Sequence, residues 1–473
     1  MSRIVGGAMA DFPAFDDPGP LAPAPPGRLR RAVTVAIVLL LVTSMVFLAW
    51  ISGRREAIVP PTTTPTAAPS IGVDTRLAIV DAEGRLMTTD ASGGAVVAYG
   101  RAGIRYAFPA WSPDGSRVAA LATDAGGSAI HVFATGAPGA AAANDPVEVY
   151  RAADRPPFYV YWASDGRRLT FLTTEPDGIA LRIVPADGSA PAAIIRQGAP
   201  MYWAWTNGDR LLVHSGEGPN GFLGEIGGDG SAAQPFATEH GGFRAPALSH
   251  DERYRAFVMP GAGAGGGFET PGTAATAHVV VESTNGSSHT DVPVFGGAAL
   301  GFGPRSDELA FIAPAKAGRA VTLPVGPLRV VDAASGAVRN ALAGSVVAFF
   351  WSPDGTTLAA LQLVEPGDDK IASARSVTPV ATAPGLTLRL VFVDVGSGGV
   401  RSQSVVRVGD LFTTQVLPYF DQYALSHRVW AADGSAIALP VVADDRSTSL
   451  LVIRADGSDA RRVAAGVVGF WSP

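Results

Sequence analysis

Short apolar runs alternate with compact polar turns along most of the chain. From residue 74 onward, runs such as those at 130–133, 181–184, 328–331, 390–393 and 450–453 are bounded by turn sequences rich in Gly, Pro, Asp and Ser. Alternation over about four to eight residues, with turn residues at both ends, is typical of β-strands. The pattern therefore predicts a single all-β domain over residues 74–473.

One turn sequence recurs at the end of an apolar strand. Trp111 and Trp351 each open a WSPDG motif, and Trp162, Trp205 and Trp430 open variants of it. Proline presets the first turn position and glycine takes the left-handed conformation that ends the turn. Weaker copies follow at Leu248 and Phe302, and a last fragment holds Trp471. Four strands in each unit of about 43–54 residues are typical of a β-propeller blade.

The two ends of the repeat region complement each other. Residues 76–98 contain strands two to four of a unit without the opening strand, and residues 467–473 supply an opening strand without the rest. Pairing of the two ends would remove two exposed sheet edges. We therefore expect a single β-propeller of eight four-stranded blades, closed by the N- and C-terminal strands. Seven blades remain an alternative if the unit at Phe302 or Leu248 is not a true repeat.

The WSPDG repeats resemble those of TolB-type β-propellers, which occur in bacterial periplasmic proteins and some peptidases. The resemblance covers residues 76–473 and implies a fold rather than an activity. The chain departs from TolB itself, because it has no separate N-terminal globular domain and more repeats than that family's six blades.

The segment before the repeats indicates a membrane anchor. Residues 32–51 form an uncharged apolar stretch long enough to cross a bilayer as a helix of about 30 Å. Residues 1–31 are expected to be a disordered cytoplasmic tail, and the Pro/Thr-rich residues 52–73 a stalk. Arg28, Arg30 and Arg31 precede the span, which favours a cytoplasmic N-terminus and an extracytoplasmic propeller in the cell membrane.

Composition and motifs exclude several kinds of function. The net charge of −6 argues against nucleic acid as a partner, and the absence of cysteine excludes disulfides and thiolate metal sites. No serine is flanked by the glycines of a hydrolase nucleophile elbow, and the seven histidines are scattered without metal-binding spacing. The Asp-Gly turns lack the distal glutamate of a calcium loop. The sequence therefore predicts no catalytic residue, no metal site and no cofactor.

Long insertions interrupt the repeat and mark one face as a candidate binding surface. Residues 261–275, 314–326 and 363–386 fall between strands two and three of consecutive units, and 406–426 join one unit to the next. Long loops in compact domains tend to be functional. The last insertion and the residues after it carry an aromatic and charged cluster that we take as the candidate binding site: Phe412, Tyr419, Phe420, Asp421, Tyr423, His427 and Arg428. The alternative is that these aromatic residues plug the propeller or pack on neighbouring blades.

These observations favour a binding or scaffold module that presents its insertions to an extracytoplasmic protein or glycan. Two alternatives stay open. One is a propeller hydrolase or lyase with a site in the central channel, and the other is a ligand sensor that signals through the anchor.

Overall fold

The computed structural model describes residues 75–136, 145–216, 221–236, 245–260, 276–305, 307–314, 324–364 and 385–473. All of them belong to one compact unit that spans residues 58–473. The predicted tail, membrane helix and stalk lie outside the described residues, as do most of the insertions at 261–275, 314–326 and 363–386. Among the residues that are described, no helix combines the length and apolar character needed to cross a membrane.

Strands dominate the described chain. The first fifteen are β1 (Arg76–Val80), β2 (Leu86–Asp90), β3 (Val97–Tyr99), β4 (Arg105–Trp111), β5 (Arg117–Asp124), β6 (Gly127–Ala134), β7 (Val147–Ala152), β8 (Pro157–Trp162), β9 (Arg168–Glu175), β10 (Gly178–Pro185), β11 (Ala193–Gln197), β12 (Met201–Trp205), β13 (Arg210–Ser215), β14 (Phe222–Gly227) and β15 (Gln234–Pro235). The others are β16 (Ala247–Leu248), β17 (Tyr254–Pro260), β18 (Thr276–Ser283), β19 (His289–Phe295), β20 (Ala299–Phe302), β21 (Glu308–Ile312), β22 (Gly326–Asp332), β23 (Val338–Trp351), β24 (Thr357–Leu363), β25 (Leu386–Asp394), β26 (Val400–Val408), β27 (Ala436–Val442), β28 (Thr448–Arg454), β29 (Ala460–Ala465) and β30 (Val468–Trp471). The all-β prediction is confirmed.

The strands pair into antiparallel sheets of blade size. Strands β4–β7, β8–β11, β12–β15 and β16–β19 form four separate four-stranded sheets, which we call blades 1 to 4. Strands β20–β29 form one ten-stranded sheet. Within it, the first part of β23 pairs with β22 and its second part with β24. Blade 5 is therefore β20–β22 with the first part of β23, and blade 6 is the second part of β23 with β24–β26. Blade 7 is β27–β29, with the chain around Trp430 at its inner edge.

The two ends of the chain build the last blade together. Strand β30 pairs with β1, with Leu77 opposite Trp471, and β2 and β3 complete blade 8. The end strands thus pair as the sequence predicts. The backbone N–H of Ser472 donates to the Arg76 carbonyl at 2.8 Å, and the Arg76 N–H donates to the Ser472 hydroxyl at 3.1 Å. The same two bonds join Ser112 and Arg117 within the WSPDG turn of blade 1.

Contacts between successive blades complete a ring, and the repeat tryptophans supply many of them. The indole N–H of one blade donates to a carbonyl on the innermost strand of the preceding blade at 2.9–3.0 Å: Trp111 to Phe470, Trp162 to Ala110, Trp351 to Gly301 and Trp430 to Phe350. Between blades 2 and 3, Trp205 donates instead to the Thr170 hydroxyl, which itself donates to the Tyr161 carbonyl. Because Arg428 in blade 7 bridges to Trp471 in blade 8, the two end blades are also joined. This arrangement is consistent with a β-propeller.

Candidate functional site

The segment between blades 6 and 7 forms helical turns rather than the open loop that the sequence suggests. It consists of a π-helical turn (Phe412–Val416), a 3-10 turn (Leu417–Tyr419) and an α-helical turn (Phe420–Tyr423). Its first turn is held by Thr413, whose N–H and hydroxyl both donate to the Gly409 carbonyl at 3.0 Å. We call residues 409–427 the central insert.

The central insert contacts the innermost strands of blades 6, 8, 1 and 2. Phe420 packs edge-on against Phe349 and Phe350 of blade 6, with ring centroids 5.2 and 5.9 Å apart. His427 packs on Phe470 of blade 8 at 4.6 Å. Tyr423 contacts Phe108 of blade 1 at 5.8 Å and Tyr159 of blade 2 at 5.0 Å. The insert therefore fills the centre of the ring.

Two bulges in the innermost strands turn aromatic residues toward the insert. The register of β4 slips between Ala107 and Ala110, and that of β8 slips between Phe158 and Val160. The residues at these bulges, Phe108 and Tyr159, have φ values of 47° and 51°. Bulky side chains rarely adopt this left-handed conformation, and it persists only where the surroundings hold it. Because both residues contact Tyr423, packing on the insert offsets the strain of the two bulges.

Gln422 joins the insert to the edge of blade 3. Its amide nitrogen donates to the Trp203 carbonyl at 2.7 Å, and its amide oxygen accepts from the Trp203 N–H at 3.1 Å. The same amide nitrogen donates to the Tyr159 hydroxyl at 3.0 Å, and that hydroxyl donates to the Gln422 carbonyl at 2.6 Å. Gln422 is not among the site residues that the sequence predicts, because an isolated glutamine in an aromatic segment belongs to no recognisable motif.

The structure brings the seven predicted site residues together but buries most of them. Phe412, Phe420 and His427 are 1% exposed, and Asp421 and Tyr423 are also buried. Tyr419 is partly buried near Tyr202 of blade 3. This burial corresponds to the packing alternative for the aromatic residues. Arg428 differs from the others, since part of its side chain is open to solvent.

Burial shifts the pKa values of groups in and beside the central insert. Burial lowers the pKa of His427 to about 3, so its imidazole is neutral at physiological pH. The His427 Nδ1 lies 2.6 Å from the Ser426 hydroxyl. Burial also raises the pKa of Tyr423 and of Tyr159, which keeps both hydroxyls protonated. Groups with shifted pKa values often mark active sites, but these three groups face packed side chains instead of an open cleft.

An open cavity of about 80 Å³ lies beside Arg428, at the end of the ring where the WSPDG turns lie. Its wall consists largely of aromatic and apolar side chains, among them Trp111, Trp162, Trp471 and Tyr161. Burial raises the pKa of Tyr161 to about 12, and desolvation lowers the pKa of Arg428. In the described part of the chain, no three or more His, Asp or Glu side chains are arranged to hold a metal ion.

Comparison with solved structures identifies the class of protein as a β-propeller. The dihydro-heme d1 dehydrogenase NirN has a TM-score of 0.53 and 12% identity, with 86% of this chain and 77% of that chain covered. An oligogalacturonate lyase with manganese has a TM-score of 0.42 and 12% identity over 82% of this chain and 85% of its own. TolB from Acinetobacter baumannii has a TM-score of 0.35 and 12% identity, with 78% of this chain and 66% of that chain covered.

At 12% identity the similarity is one of fold and does not define an activity. No protein family model and no curated protein sequence matches the chain.

Proposed function

We propose that this chain is a binding module, a propeller that recognises an extracytoplasmic protein or glycan and is held at the cell membrane by residues 32–51. The observation that carries the proposal is the central insert. Asp421, Tyr423 and His427 are titratable groups of the central insert, and all three are buried. A substrate in the channel would have to displace the insert to reach them.

The position of the insertions supports recognition on one face. Leu386 at the start of β25 lies opposite Val408 at the end of β26. The insertion before β25 and the central insert therefore leave blade 6 at the same edge. Leu328 pairs with Ile312 beside the insertion in blade 5, and Ala277 pairs with Pro260 beside that in blade 4. All four segments therefore leave their blades at the end where the second strand connects to the third. We call this end of the ring the insertion face.

Site-specific crosslinking in cells tests this proposal. A photo-crosslinking amino acid at Asp410, exposed at the start of the central insert, probes the insertion face. The matched position is Asp433, exposed in the turn that follows Trp430 at the opposite end of its blade. We expect a defined crosslinked species from position 410 and none from position 433. Crosslinks from position 433 alone, or from neither position, would contradict recognition at the insertion face.

The membrane orientation has a separate test. A phosphatase fused after Pro473 should be active outside the cytoplasm, because this enzyme needs an oxidising compartment. A second fusion at the same position carries a reporter that is active only in the cytoplasm. Activity of this reporter, with an inactive phosphatase fusion, would overturn the proposed location and leave the binding proposal intact.

A further inference from the structure

The guanidinium of Arg428 has an unusual environment for a cation in this fold. The arginines that stack on repeat tryptophans use their N–H groups within the protein: Arg76 lies over Trp111 and donates to the Gly115 carbonyl, while Arg168 lies over Trp205 and pairs with Asp165. In the described part of the chain, no hydrogen bond or ion pair joins the side chain of Arg428 to another residue. Arg428 lines the cavity, and its five N–H donors have no acceptor among the described residues.

The nearby polar groups do not neutralise this charge. Asp114 belongs to the turn that lines the cavity, but its carboxylate accepts from the hydroxyls of Ser112 and Ser116 at 2.6 and 2.7 Å. These bonds lower the pKa of Asp114 to about 2 and hold the carboxylate in its own turn. The Ser426 hydroxyl is shared between Tyr159 and His427. The side chain of Arg428 is exposed, so its charge is accessible to an anion that enters the cavity.

A buried donor without a partner belongs to a residue in the wall of the same cavity. Trp471 lines the cavity and is fully buried, and its indole N–H has no acceptor among the described residues. At the equivalent position of other blades, Trp111, Trp162, Trp351 and Trp430 all donate to a carbonyl of the preceding blade. A buried donor without a partner is uncommon and calls for an explanation.

We propose that the cavity beside Arg428 binds a carboxylate group. The planar guanidinium offers a carboxylate two parallel hydrogen bonds. Tyr161 lines the same cavity, and its hydroxyl, protonated over the physiological range, can add a further donor. A single positive charge in an aromatic wall suits a monoanion better than phosphate, whose second charge would stay unbalanced. A volume of about 80 Å³ accommodates the carboxylate with a few carbon atoms.

This inference goes beyond the proposed function, because the cavity lies at the end of the ring opposite the insertion face. Trp111, Ser112 and Pro113 stand where the first strand of blade 1 turns into the second. A carboxylate here could come from a small organic acid or from the C-terminus of a peptide. The chemistry of recognition is the same, and the experiment separates the two sources.

Tryptophan fluorescence of the purified full chain provides the test, because three tryptophans line the cavity. The probes are sodium acetate, propionate and butyrate, with chloride and inorganic phosphate at equal ionic strength as controls. An acetylated tripeptide with a free carboxyl end and the same tripeptide as an amide form a second arm. We expect a saturable change with at least one carboxylate probe and a weaker one with phosphate. Saturation by the peptide acid alone would identify a chain end as the source.

Variants connect the signal to the site. Arg428→Met should weaken carboxylate binding at least tenfold. Arg167→Met changes an exposed arginine directly after the WASDG turn of blade 2 and should leave carboxylate binding unchanged. Tyr161→Phe keeps the ring and removes only the hydroxyl, so it tests the site even if Arg428→Met fails to fold. Equal binding by wild type, Arg428→Met and Tyr161→Phe, or no saturable response to any carboxylate, would overturn the proposal.

Discussion

The side-chain amide of Gln422 pairs with the backbone of Trp203 as a neighbouring strand would, donating to its carbonyl at 2.7 Å and accepting from its N–H at 3.1 Å. Trp203 lies on the innermost strand of blade 3, whose inward edge has no further strand to pair with. Buried backbone groups of this kind need a partner. One glutamine thus satisfies both groups and fixes the central insert in register with the ring.

Replacing Gln422 with alanine should lower the free energy of unfolding by about 2–4 kcal/mol, because two buried backbone groups and the Tyr159 hydroxyl lose a partner. Urea unfolding followed by circular dichroism measures the loss. Gln403→Ala, at an exposed position on β26, makes the same change of residue and should alter stability by less than about 0.5 kcal/mol. Similar effects of the two substitutions would show that the Gln422 bonds add little.

Acid should destabilise the chain through His427. Its pKa is about 3 in the folded chain and about 6.5 when unfolded, so the unfolded state binds the proton first. Stability is complete above pH 6.5 and falls as the pH drops toward 3. Between pH 7.5 and 5 the loss from this residue should be about 2 kcal/mol. His427→Asn should flatten the profile in this window, and identical profiles for the variant and the wild type would contradict the assignment.

A matched pair of substitutions measures how much the indole hydrogen bonds between blades contribute to stability. Trp430→Phe removes a hydrogen bond to the Phe350 carbonyl, whereas Trp471 has no acceptor among the described residues. Both side chains are buried, so the loss of ring volume is comparable. Trp430→Phe should therefore cost about 1–2 kcal/mol more than Trp471→Phe in thermal unfolding. A larger cost at Trp471 would mean that its N–H has a protein partner in solution.

Removal of residues 467–473 should open the ring. It deletes β30, including the buried Phe470 and Trp471, and leaves β1 with an unpaired edge. We expect the melting temperature to fall by about 10 °C or more. Deletion of residues 1–8 removes a similar length from outside the repeats and serves as the control. An unchanged melting temperature after loss of 467–473 would refute closure by the two ends.

The repeat and its closure could be predicted because they depend on local rules. Alternation identifies strands, and Pro113 and Gly115 define a turn whose geometry is the same wherever it recurs. Even the pairing of residues 76–80 with 468–471 follows from the missing parts of one repeat.

The centre of the ring could not be predicted in the same way. The aromatic cluster at 412–423 departs from the repeat in the sequence, but its contacts depend on blades 1, 2, 3, 6 and 8 at once. The bulge at Phe108 contains Pro109, whereas the bulge at Tyr159 contains neither Gly nor Pro, so the two bulges share no signal in the sequence. The cavity beside Arg428 is likewise assembled from residues of four blades, so no spacing in the sequence reveals it.

The central insert also changes how the chain can fold. In an ordinary repeat protein each unit touches only its neighbours, so the array can grow or fray one unit at a time. Here residues 409–427 follow blade 6 in sequence yet dock on blades that were synthesised much earlier and on one, blade 8, that is completed only by the last strand. These contacts have long sequence separations, and such topologies form slowly. We therefore expect the insert to dock among the last steps of folding and the ring to unfold as one cooperative unit.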